Sequence, residues 1–299
     1  MDSELQVVKS NHIIEASYRL SLIEQRIILS AISQVNRGSP VTDEVLYSVA
    51  ATDFARITGM SLGDSYKELK DAALRLKRRE VRVTQEPDGK GKTKVMITGW
   101  VQTIIYVEGE GRIELRFSKD MLPYLTDLQR EFTRYSLADV AKMSSVYGVR
   151  LYELLVQHPG GRREIALSDL RNWLQLEGRY QSIKDFKARV IQPAVDQINE
   201  HSPLAVRWDQ RKTGRRVTHL VFTYVNKTKA QLKAAAKSAE QPKEPKPKAA
   251  APAEAPGYAA SIAKKYGLSP AYISRHARPG ENWEAAAARL AKAKEKEPA

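Results

Sequence analysis

Apolar and polar positions along this chain recur with two periods, and the order of those periods sketches a fold. Between Ser21 and Val35, the residues Ile23, Ile27, Ile28, Ala31, Ile32 and Val35 fall three and four apart, as on a helix buried along one side. Ser21 opens that helix with Glu24 three residues on, a pair in which each side chain satisfies the other's backbone N–H. A shorter helix is expected from Thr52 to Ile57, with Gly59 placed to end it. Tyr66, Leu69, Ala73 and Leu76 then share one face of a helix running from Gly63 to Arg79. The period changes to two over 81–85, 95–107 and 112–117, which read as strands. Helix, turn, helix and β-ribbon in that order predict a winged helix-turn-helix.

The theme returns in the second half. A long helix is expected from Ser136 to Val156, joining the halves, followed by a short strand at 163–166. Ser168 then caps a helix through Leu174. In "QSIKDFKARVIQPAVDQINEHSPLAVRW", Phe186, Val190, Ala194 and Ile198 recur every four residues, predicting a helix from Ser182 to Glu200. Strands at 204–210 and 216–225 flank a basic turn, Arg211-Lys212-Thr213-Gly214-Arg215. The expected fold class is α+β: two tandem winged-helix domains joined by a long helix, with a linker and a small helical module behind them. The expected divisions are an N-terminal winged helix at 1–132, serving dimerisation and phosphate contacts, and a C-terminal winged helix at 133–228 for sequence-specific binding. A flexible linker at 229–257 and a helical, helix-turn-helix-like module at 258–299 follow.

The helix that begins at Ser182 has an informative polar face. At about 100° per residue, Ser182, Asp185, Ala188, Arg189, Gln192 and Asp196 fall together, away from the apolar stripe. Arg reads guanine, Gln adenine and Asp cytosine in a major groove, while Ala leaves room for a thymine methyl. Lys184 lies near the helix start, and Lys187, beside the apolar stripe, suits a phosphate better than a base. Any surface helix has a polar face, and Asp185 also suits a capping box with Ser182. Pro193 lacks an N–H and should kink the helix near Arg189.

Charge tips that balance. The chain carries 49 Lys and Arg against 35 Asp and Glu, a net charge of +14, which favours a polyanionic partner. From Asn226 onward there are 15 basic and 7 acidic residues, so over half the excess lies in the tail. The stretch "QPKEPKPKAAAPAEAP" cannot build a core and reads as a semi-extended spacer. In the first domain, Lys77, Arg78 and Arg79 form a cluster suited to phosphates, whereas Lys67 suits a solvated face as well. Second helix, basic hairpin and basic chain together point to double-stranded DNA.

Other chemistry finds little support. The chain of 299 residues has no cysteine, which removes disulfides and thiolate chemistry and fits a reducing, cytoplasmic compartment. No apolar run approaches the ~20 residues of a membrane span, and no secretory h-region opens the chain. His12, His158, His201, His219 and His276 form no HxH or HExxH pair, so no metal-dependent nickase, catalytic residue, metal site or cofactor is expected. "GKGKT" at Gly89–Thr93 lacks the first glycine of a phosphate loop and reads as a basic hairpin turn. In the tail, Ala263, Gly267 and Ile273 have helix-turn-helix spacing; a small docking module for a partner fits equally well.

The run "RYQSIKDFKARVIQPAVDQINEHSPLAVRWDQRKTGRRVTHLVFTYV" resembles the C-terminal winged helix of iteron-binding plasmid replication initiators, the RepE/RepA/pi-like Rep family. "SLIEQRIILSAISQV" is similar to that family's first helix, and the likeness covers roughly residues 5 to 227. The resemblance implies a protein that binds repeated origin sites as a monomer, promotes origin opening and represses its own promoter as a dimer. It also implies contact with the host initiator, replicative helicase and primase. On this likeness Ser182, Asp185, Lys187 and Arg189 align with the start of the recognition helix, and Arg211, Lys212, Arg215 and Arg216 with the wing. Ala188 stands where the family often carries a third basic residue, and no sustained heptad marks the first domain.

Overall fold

The computed structural model describes residues 5–36, 42–58, 61–85, 94–107, 109–126, 131–228, 265–269, 272–273, 276 and 283–294. They fall into two compact units, residues 1–240 and 241–299. The first unit is a pair of winged helices. The expected features at Gly59, Gly89–Thr93, Ala263 and the linker 229–257 lie outside the described residues.

In the first winged helix, β1 (Gln6–Ser10), α1 (Asn11–Ile14) and β2 (Ser17–Tyr18) precede α2 (Leu22–Ser33). The capping box forms: Ser21 Oγ accepts from Glu24 N while Ser21 N donates to Glu24 Oε2. Ile27, Ile28, Ala31, Ile32 and Val35 are buried, and Ile23 is partly covered. β3 (Tyr47–Ala50), α3 (Ala51–Thr58) and α4 (Leu62–Leu76) follow, then β4 (Glu80–Gln85), β5 (Lys94–Gly99), β6 (Val101–Val107) and β7 (Arg112–Phe117).

The single strand expected over 95–107 is two. β5 pairs with β4, whereas β6 pairs with β7, so the chain changes sheets at Trp100. Trp100 is fully buried and meets Tyr18 edge-on, with ring centroids 4.9 Å apart. Burying so large a ring between the ladders outweighs the continuity of one strand.

The long helix expected from Ser136 to Val156 is also absent. Phe132–Ser136 instead forms β8, antiparallel to β1, with Gln6 opposite Ser136 and Ser10 opposite Phe132. A single turn, α5 (Ala138–Ala141), follows, and only Val146–Val156 makes a full helix, α6. The break falls at Met143-Ser144-Ser145, where Ser145 Oγ accepts from Gly148 N and starts α6 afresh. Serine competes with helical backbone bonding in mid-helix and favours such a cap.

The second winged helix comprises β9 (Arg162–Ala166), α7 (Leu167–Trp173), a helix over 183–201, β10 (Leu204–Thr213) and β11 (Arg216–Asn226). Its sheet order is β10-β11-β9, all antiparallel. Ser168 does not cap α7, which starts one residue earlier; its hydroxyl bonds Asp169 Oδ1 instead. The five-residue turn tightens to two, Gly214-Arg215, because Arg211, Lys212 and Thr213 continue β10. Gly214 has φ +61° at the first turn position, as a two-residue hairpin of this hand requires.

One apolar core runs through both winged helices, from Val7 to Tyr224. Charge is buried where they meet. Lys9 and Glu153 are both fully enclosed, Lys9 Nζ lying 2.5 Å from Glu153 Oε1, and the Tyr135 hydroxyl donates to the same oxygen at 2.5 Å. Burial, then the Glu153 carboxylate, pushes the Tyr135 pKa well above its usual range, so the phenol stays protonated. Arg150 Nη2 reaches the carbonyls of Ala16 at 2.9 Å and Trp173 at 3.2 Å, one from each winged helix. Arg163 spans the same seam, bonding Leu154 O, Gln157 and Glu15.

Candidate nucleic-acid interface

The helix over 183–201 is built in three pieces. α8 (Ile183–Phe186) leads into a π turn (Lys187–Ile191), and α9 (Gln192–His201) completes it. Gln192 N bonds back five residues, to Lys187 O. Pro193 explains the place: it has no N–H for Arg189 O, and its ring crowds that carbonyl, so the turn widens. The expected kink is thus a local π turn.

That turn alters the polar face. A uniform helix sets Gln192 beside Arg189 as a free reader. Here Gln192 is exposed but engaged at both amide atoms: Trp208 Nε1 donates to Gln192 Oε1 at 3.0 Å and Gln192 Nε2 donates to Asp196 Oδ1 at 2.8 Å. Lys184, Asp185, Ala188 and Arg189 remain exposed on the first half of the helix. Ser182 is exposed at the N-cap and makes no side-chain capping bond, so its capping box with Asp185 does not form. Lys187 Nζ donates to Gln210 Oε1 at 3.0 Å, tying the helix to β10 just before the wing.

The wing divides in the same way. Arg211 is held at its base, paired with Glu164 and bonded to His219. Lys212, Arg215 and Arg216 are exposed and make no ion pair among the described residues. The free cations therefore gather at the hairpin tip.

Three residues position this surface without any clear mark in the sequence. Arg171, on α7, donates to the carbonyls of Arg179 (3.0 Å), Tyr180 (2.7 Å) and Gln181 (3.4 Å), and its guanidinium lies 4.6 Å from the Phe186 ring centre. It thereby fixes the loop into α8, including Tyr180 at φ +47°. Partial burial lowers its pKa without removing its charge. Asn199 clamps α9 to β10 through both amide atoms: Nδ2 donates to Val206 O at 2.9 Å, and Oδ1 accepts from Val206 N at 2.6 Å. Lys227 caps that joint, donating to Asn199 O and Ser202 O, and burial lowers its pKa.

α9 in turn rests on α6. A side chain at Gly148 would meet Gln197 Cβ at 3.1 Å, and Gln197 Oε1 accepts from Ser144 N at 2.6 Å. The helix over 183–201 is therefore braced from behind by α6.

The basic cluster of the first winged helix is differently placed. Lys77 and Arg78 are exposed at the end of α4. Arg79 turns inward, with Nε 2.8 Å from Oε2 and Nη2 3.0 Å from Oε1 of the fully buried Glu24. Arg75 joins it at 3.3 Å.

No group of three or more potential metal-ligating side chains occurs among the described residues, and none of their helices is long and apolar enough to cross a membrane.

Paired winged helices, with an exposed mixed-charge helix and a basic wing on the second, define a class of double winged-helix protein suited to duplex DNA. The family described as Initiator Replication protein, WH1 matches residues 6–156, and Initiator Rep protein, WH2 matches residues 166–224. The chain belongs to this initiator replication protein family. It is 28% identical over 228 residues to a Replication initiation protein of Escherichia coli, covering 74% of this chain and 69% of that one. It is 21% identical over 238 residues to the PI protein of Escherichia coli, covering 69% and 78% of the two chains. The solved structure of the Pi initiator protein in complex with iteron DNA superposes with a TM-score of 0.63 at 20% identity, over 76% of this chain and 99% of that one. At that identity the likeness establishes the fold.

Proposed function

We propose that this protein initiates plasmid replication by binding repeated sites, or iterons, at an origin, and that it acts by binding rather than catalysis. The observation that carries the reading is the exposed face of Lys184, Asp185 and Arg189 beside a wing whose Lys212, Arg215 and Arg216 make no ion pair among the described residues. A helix with those groups enters a major groove while the wing tip meets phosphates. Ser182 and Lys187 lie at the edge of that face, and Arg211 sets the base of the wing. Gln192, bonded to Trp208 and Asp196, orients the helix against the sheet and offers little to a base. In the first winged helix, Lys77 and Arg78 contact phosphates, while Arg79 anchors Glu24. We retain for the two winged helices the division into a dimerising, phosphate-contacting part and a sequence-reading part. Self-association, repression of its own promoter and recruitment of host initiator, helicase and primase belong to the same proposal, as does a cytoplasmic location.

Footprinting of the pure protein on DNA flanking its own gene tests the reading. Protection of several direct repeats is expected. Protection of one inverted repeat alone would make the protein a plain repressor.

A further inference from the structure

The C-terminal unit carries a motif that neither winged helix uses, and both family matches end before it begins. In "SIAKKYGLSPAYISRHA", Ala263, Gly267 and Ile273 stand at helix-turn-helix spacing. Gly267 takes φ +62°, the left-handed conformation that lets a chain turn sharply between helices. Ser269 then forms helical bonds onward: its carbonyl accepts from Tyr272 N and Ile273 N, both at 3.1 Å, and its hydroxyl accepts from Tyr272 N at 3.2 Å.

This unit has its own small core. Leu268 and Ile273 pack with Ala286, Ala287 and Leu290 of a closing helix, α10 (Trp283–Lys294). Lys265 Nζ pairs with Glu284 Oε1 at 2.8 Å, and Arg289 Nη2 donates to His276 O at 3.0 Å, bracing both sides of the turn against α10. Inward Ile273 leaves Tyr272 and His276 exposed one helical turn apart, with ring centroids 4.4 Å apart. Residues 257–294 hold 7 Lys and Arg against 2 Asp and Glu. A protein-docking surface on so small a unit calls for an apolar face, whereas a basic excess around a polar-aromatic face suits a polyanion.

We propose that the C-terminal unit is a third DNA-binding element, a helix-turn-helix whose second helix presents Tyr272 and His276 to duplex DNA outside the site read by the second winged helix. It goes beyond the origin-repeat reading and does not depend on it.

The test uses the full chain and two duplexes, one carrying a single binding repeat and no more, the other the same repeat with several helical turns of flanking DNA. Tyr272→Ala combined with His276→Ala removes the proposed contact, and circular dichroism verifies folding. The double variant should bind the short duplex as the parent does. On the long duplex it should bind about tenfold more weakly, at the scale of one or two lost contacts, and lose protection outside the repeat. A ratio of long-duplex to short-duplex affinity unchanged from the parent overturns the proposal, whether or not both affinities fall, and leaves the face to a protein partner. Arg189→Ala separates the two readings: it should weaken the short duplex and leave that ratio alone. If Arg189→Ala has no effect while the double variant behaves as expected, the origin-repeat reading fails and the third element stands.

Discussion

Two regions use the same basic side chains for opposite ends. At the seam between the winged helices, Lys9, Arg150 and Arg163 are enclosed, and their charges are answered by Glu153, Glu15 and backbone carbonyls. On the helix over 183–201 and the wing tip, Lys184, Arg189, Lys212, Arg215 and Arg216 are exposed and make no ion pair among the described residues. A buried cation must be paired, or the desolvation penalty removes the fold; an exposed one costs little to leave open. Pairing thus separates cations that hold the structure from cations available to a polyanion. Arg79 and Arg211, both partnered, fall on the structural side although their neighbours in sequence do not.

The largest expected effect breaks the seam. Glu153→Ala leaves Lys9 without its carboxylate in a site that water does not reach, and Arg150 loses a nearby negative charge. Removing one partner of a buried pair costs about 3–5 kcal/mol. Urea unfolding should show that loss, and specific and random-sequence DNA binding should fall together as folded protein is depleted. A stability loss below about 1 kcal/mol would mean that the buried cluster contributes no more than an exposed pair does.

On the open side, Arg189→Ala should leave the unfolding curve unchanged and cost about 1–3 kcal/mol in affinity for the specific site, relaxing preference at one base pair. Competition binding across single-base variants of the repeat reads this directly. Guanine is the expected base, because the guanidinium fork matches its O6 and N7. Equal weakening on specific and random DNA would move Arg189 from the bases to the phosphates.

How much of this division could be read in advance depended on range. Periodicity located α2, α4, β7 and the helix over 183–201, because local spacing decides which face of an element is buried. The Ser21 and Glu24 capping box was legible for the same reason. The β8 pairing with β1 was not, since its partner lies over a hundred residues away. Trp100 read as one more strand residue, because nothing nearby says that Tyr18 waits for it. At the candidate site, the exposure of Arg189 and Lys212 was legible from residue type and position. The duties of Arg171 and Asn199, and the inward turn of Arg79, depend on carbonyls and a carboxylate brought close only by folding.

The smallest expected effect is also the cleanest contrast, between Lys212 at the wing tip and Arg79 at the end of α4. Each is one cation in a basic run, and composition alone treats them alike. Lys212 is exposed and makes no ion pair among the described residues, so Lys212→Ala should weaken all duplexes about equally, leave stability unchanged and reduce the slope of log affinity against log salt by about one. Arg79 instead donates twice to a carboxylate with no exposed surface. Arg79→Ala should lower the urea midpoint and leave the salt slope of the remaining folded protein unchanged, because its charge already has a partner. Salt titrations of both variants, with unfolding curves alongside, decide the matter. A slope change in Arg79→Ala without loss of stability would mean that DNA draws Arg79 away from Glu24, and internal pairing would then no longer separate the two kinds of cation.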